Sequence, residues 1–125
     1  SPYLFKRNQP HLSVLILPKK GVDINYFKTL ISDYNFKNLE NEVFEIKTML
    51  IGTDNHIITI HQFQNATEML EYNYFLESEK TIAKTLKKNN YKLIGISLEN
   101  FQEFYINKDI DGYYDFFKKN YKSDI

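Results

Sequence analysis

Cysteine is absent from this chain, which excludes disulfides, zinc–thiolate sites and cysteine nucleophiles. The absence leaves the compartment open, because proteins of oxidising compartments also do without cysteine. Arginine is nearly missing too: Arg7 is its only instance, so bidentate arginine recognition of phosphate or carboxylate has almost no means. Glycine is scarce, and the four present form no phosphate-binding loop. Neither sign of charge prevails: 16 basic and 16 acidic residues give a net charge of zero, so no global field draws nucleic acid or an anionic membrane. No apolar run approaches the roughly 20 residues that span a bilayer.

What is present is a regular alternation of apolar segments. With 125 residues, one domain with its own core is expected. The opening "SPYLFKRNQP" reads as a linker or edge segment over residues 1–10, followed by a single domain over 11–125 excised from a longer protein. His11 to Pro18 is short, apolar and branched, as a buried strand is. Asp23 is a helix N-cap candidate, and Ile24, Phe27, Leu30, Ile31 and Tyr34 follow helical spacing to about Leu39. Val43–Ile51 and His56–Phe63 alternate about a turn at Gly52–Asn55, which predicts a hairpin. Asn65 with Glu68 resembles a capping box. Met69, Tyr72, Leu76, Ala83 and Leu86 continue one helical face, with a break expected near Ser78. Tyr91–Ser97 predicts a fourth strand. Ser97 then caps a helix to about Asn107, and Asp109 caps a last one to about Tyr121. The order β-α-β-β-α-β predicts an α+β, ferredoxin-like sandwich with an antiparallel sheet in the order 4-1-3-2, plus two C-terminal helices.

Strand periodicity separates two sheet faces. Leu12, Val14, Ile16, Ile58, Ile60, Ile94 and Ile96 form a uniformly apolar set, assigned to the face under the two long helices. The other set is mixed: Ser13, Leu15, Leu17, Ile57, Thr59, His61, Leu93, Gly95 and Ser97. Left open, that face would expose a sizeable apolar patch, so the C-terminal helices, a second copy or a partner should cover part of it. Ser13, Leu15, Ile57, Thr59, His61 and Ser97 are the candidate partner or glycan face. If the C-terminal helices cover it, the exposed edge strand becomes the binding candidate.

No constellation of catalytic residues stands out. His11 and His61 fall on adjacent strands, but a metal centre needs a third ligand, so neither metal nor cofactor is expected. The carboxylates are scattered along helix faces, and the serines lack a nucleophile elbow. The chain reads as a non-enzyme. The aromatic ending "GYYDFFKKNY" could suggest a base-stacking surface. Its rings, however, stand at helical spacing: Phe101, Phe104 and Tyr105, then Tyr113, Phe116, Phe117 and Tyr121. That pattern is a packing stripe, and no nucleic-acid partner is expected.

The stretches "QPHLSVLILP", "LISDYN", "HQFQNATEMLEY" and "ISLENFQEFYINKDIDGYYDFFKKNY" are similar to the C-terminal domain of the SprE/PorW-type tetratricopeptide-repeat lipoproteins of Bacteroidetes. The resemblance runs from about Gln9 to Tyr121. It implies a non-catalytic protein-interaction or assembly domain of a lipoprotein required for type IX protein secretion and gliding motility. It further implies a location on the periplasmic face of the outer membrane, with the lipidated cysteine and the helical repeats upstream. Partners would be other components of that machinery. A second stretch, "FQNATEMLEY", is similar to the entry into the second helix of SPOR domains, βαββαβ modules that bind peptidoglycan on the sheet. On that alternative, Ser13, Thr59, His61 and Ser97 would be the polar glycan contacts.

Overall fold

The computed structural model describes residues 1–121. Strand β1 (His11–Pro18) leads to helix α1 (Ile24–Asn38) and the hairpin β2 (Glu45–Ile51) and β3 (Asn55–Phe63). Helices α2 (Ala66–Ser78) and α3 (Lys80–Lys87) precede β4 (Lys92–Ser97), and α4 (Leu98–Asn107) and α5 (Ile110–Asn120) end the described chain. The domain is α+β, with one antiparallel sheet in the order β2-β3-β1-β4, which is the expected 4-1-3-2 read from the other side. Residues 122–125 of the expected 11–125 domain lie outside the described residues.

Local chemistry accounts for most element ends. Asp23 Oδ1 accepts from the amides of Asn25 and Tyr26. Asn65 Oδ1 accepts from the Glu68 amide at 2.9 Å, and the Glu68 carboxylate reaches back to the Gln64 amide. The usual reciprocal box returns to the cap residue itself; here the return bond falls one residue earlier. Glu79 ends α2 and caps α3, its carboxylate accepting from the Ile82 amide at 2.8 Å. Ser97 and Asp109 cap α4 and α5.

Two apolar clusters lie on opposite sides of the sheet. One joins Leu15, Leu17, Ile58, Ile60 and Phe63 to Phe27 and Ile31 of α1 and to Met69, Tyr72 and Leu76 of α2. The other joins Leu12, Val14, Ile16, Ile57, Ile94 and Ile96 to Phe104 of α4, Tyr113 of α5 and Tyr3. This corrects the expected assignment of faces. In β1 and β4 the uniformly apolar residues face the C-terminal helices, whereas Leu15, Leu17 and Leu93 lie with the long ones. Cross-strand partners share a face, and Leu15 stands opposite Ile58 and Leu93 while Val14 stands opposite Thr59 and Ile94. Period-2 patterning sorts residues within a strand. It does not align strands with one another when both faces are buried, because no polar face marks the outside.

The first ten residues are also more than a linker. Tyr3 is buried, edge-on to Tyr113 at a centroid distance of 4.9 Å. Asn100 clamps the same segment, accepting from the Leu4 amide and donating to the Leu4 carbonyl. Further on, Arg7 accepts from the Ala66 amide through its carbonyl.

Candidate functional site

The sheet face that the sequence marks as a binding surface is interior. Ser13, Leu15, Ile57, Thr59 and Ser97 are buried, and His61 is half-buried. They do not form one patch: Leu15 belongs to the α1/α2 core and Ile57 to the α4/α5 core. Their polar groups serve the fold. Ser13 donates to Asn73 Oδ1 of α2, and Asn73 Nδ2 donates to the Ile94 carbonyl of β4 at 3.1 Å. Thr59 and His61 bond each other at 2.9 Å. Ser97 holds the start of α4.

The C-terminal helices close the sheet face that carries Leu12, Val14, Ile57 and Ile94. Tyr113 lies fully buried against it and donates its hydroxyl to the Gly95 carbonyl at 2.6 Å. Burial raises its pKa, which keeps the phenol neutral and able to donate. Phe104 and Tyr121 are buried as well, whereas Phe116 and Phe117 are half-buried and Tyr105 is exposed. The aromatic ending is therefore a packing element, with part of its second stripe at the margin of the core.

His11 and His61 are not drawn together as ligands. His11 Nδ1 lies 2.7 Å from the Gln9 carbonyl, and its Nε2 lies 2.7 Å from the Tyr121 hydroxyl. A carbonyl only accepts, so Nδ1 carries the hydrogen and Nε2 accepts from the tyrosine. Among the described residues no three His, Asp or Glu side chains group as a metal ion would need.

With both sheet faces occupied, a groove of about 910 Å³ lies open on the α1/α2 side. That size is in the range of ligand-binding clefts. Its walls come from four places: the end of α1 (Tyr34, Asn38, Leu39), the loop into β2 (Glu42, Val43, Phe44), the end of β3 (Gln62, Phe63, Gln64) and the length of α2 (Glu68, Glu71, Tyr72, Phe75) up to Ser78 and Glu79. The floor is aromatic. Phe44, Phe63 and Tyr72 lie in a triangle with centroid distances of 4.9 to 5.6 Å, and Tyr34 meets Tyr72 edge-on. Tyr72 is held by a 2.6 Å bond to Asn35 Oδ1, and burial raises its pKa. At the rim, Phe75 is 56% exposed and Val43 is 99% exposed.

Four glutamates line the groove, and among the described residues no lysine, arginine or histidine does. Glu68 and Glu79 each use a carboxylate oxygen to cap a backbone amide, which fixes where their charges sit. Strand β3 also runs past its neighbour here. The β2–β3 ladder ends at Glu45 opposite His61, so Gln62 and Phe63 continue alone into the groove on that side. The helical stripe and the apolar character of β3 both point inward in the sequence. What makes a groove of them is the gap left where β2 begins late, at Glu45 rather than Val43, and nothing local signals that. The outer strand β2 carries an exposed Glu45–Lys47 ion pair, a charge pattern that discourages edge-to-edge strand pairing.

The chain matches no protein-family model, no curated protein and no solved structure.

Proposed function

We propose that this chain is a non-catalytic protein-interaction domain that helps assemble the type IX secretion and gliding machinery. In this reading it belongs to a lipoprotein of the SprE/PorW type, on the periplasmic face of the outer membrane. The fold is taken as a ferredoxin-like βαββαβ sandwich in which α4 and α5 are an added layer over the second sheet face. The observation that carries the interaction reading is the aromatic-floored groove, with Phe75 and Val43 exposed beside it, in a domain whose sheet is otherwise enclosed by its own helices. Exposed apolar surface around a cleft is the usual mark of a partner site.

The SPOR-like alternative loses its contact surface. Ser13, Thr59 and Ser97 are buried and bonded within the domain, so a glycan strand would have no access to them. For the same reason Leu15→Glu or Ile57→Glu would test the core, not a docking face.

The test is made in a gliding bacterium that carries this chain. Phe75→Glu adds a charge at an exposed position, so the protein should accumulate at its normal level and melt like the parent. Loss of type IX cargo from the medium and loss of spreading on agar are the expected results. Normal secretion and spreading, both in this variant and in cells lacking the domain altogether, would overturn the reading. Retention of the purified domain on peptidoglycan sacculi at low salt would restore the alternative.

A further inference from the structure

The groove has a chemistry that narrows its occupant. Its floor is made of rings whose faces carry partial negative charge, and its rim is made of glutamates with no cation among the described lining residues. Phosphate-bearing ligands, nucleic acids and anionic lipid surfaces are repelled by such a site. A lysine or arginine side chain is attracted twice, by the carboxylates and by the aromatic faces. The floor also calls for apolar side chains between the charges. The two β3 residues that run on past β2 line the groove from its sheet side, where an extended segment could lie alongside them.

We propose that the groove between α2 and the α1–β2 loop binds a basic, apolar-spaced segment of a partner protein, with lysine or arginine side chains at the glutamate rim. This deepens the reading of the domain as an interaction module and rests on it, but it does not depend on the family resemblance.

The probe is a fluorescein-labelled dodecapeptide of Lys-Leu-Ser repeated four times, titrated with the whole chain and followed by anisotropy. Two control peptides replace every lysine by glutamate, or every leucine by serine. The lysine–leucine peptide should bind, the glutamate peptide should not, and the leucine-free peptide should bind at least ten-fold more weakly. Raising the salt from 50 to 300 mM should weaken binding several-fold. Glu42→Lys combined with Glu71→Lys should weaken binding at least ten-fold. Asp115→Lys, which makes the same kind of charge change on α5, should change it less than two-fold. Both variants are checked for an unchanged melt, and amide chemical shifts should move at Phe44, Gln62 and Phe75. The proposal is overturned by absence of binding, by equal binding of the lysine and glutamate peptides, or by shifts confined to another surface. Absence of peptide binding together with a secretion defect in Phe75→Glu would reject the basic partner and leave the interaction role standing. Peptide binding with normal secretion would keep the basic segment as the groove's occupant and reject the role in secretion.

Discussion

Gly95 in β4 shows how a single position can hold a domain together. A Cβ built there would lie 2.0 Å from Met69 Sδ, so the absence of a side chain is what lets the fully buried Met69 lie against the strand. Gly95→Ala should destabilise the domain by about 1–3 kcal/mol through overpacking. Combining it with Met69→Val should recover part of that loss, and a double-mutant cycle by urea denaturation measures the coupling. His11 makes a second residue-scale prediction. Burial lowers its pKa below the ordinary value of 6.5, with only the Gln9 carbonyl opposing the shift. The unfolded chain therefore binds the proton more readily. Stability from this group is complete above pH 6.5 and is lost as the pH falls from there through the lower folded-state pKa. His61, lowered by burial and by Lys47, adds a component of the same sign. The unfolding free energy should fall between pH 7 and 5, and His11→Gln should flatten that slope even where it lowers overall stability. An unchanged slope would show that His11 is not the responsible group.

The elements follow local rules closely. Their caps, the break after Ser78 and the hairpin are legible in the sequence because each depends on a few neighbouring residues. Asn65→Ala removes the bond to the Glu68 amide and should cost about 1 kcal/mol, read as a lower urea midpoint with an unchanged m-value. The buried asparagines are different. Asn35, Asn73 and Asn100 sit at polar positions of helical patterns, yet all three are buried. Asn73 ties α2 to β1 and β4, Asn100 holds the N-terminal segment, and Asn35 anchors Tyr72 beneath the groove. A polar residue next to an apolar stripe looks solvated in sequence. Only its distant partner shows that it is a buried joint.

For the whole molecule, the sheet is a middle layer between two cores, and the N-terminal segment completes the second of them. Removing residues 1–10 takes away the buried Tyr3 ring and both Asn100 bonds to Leu4. Loss of a buried aromatic alone is worth about 3–5 kcal/mol, so the shortened chain should be at least about 3 kcal/mol less stable in urea. A linker would leave the midpoint where it was. The sequence by itself determined the elements, most of their ends, the antiparallel order of the strands and the packing role of the aromatic ending. All of these follow from periodicity, capping and connection rules that act over short distances along the chain. Only the tertiary structure decided which apolar strand face meets which pair of helices, that residues 1–10 are docked, and that the exposed cleft lies between α2 and the loop before β2. Those outcomes depend on contacts between residues as far apart as Tyr3 and Tyr113. When both faces of a sheet are apolar, burial favours either arrangement of the pattern, and the packing of whole layers makes the choice.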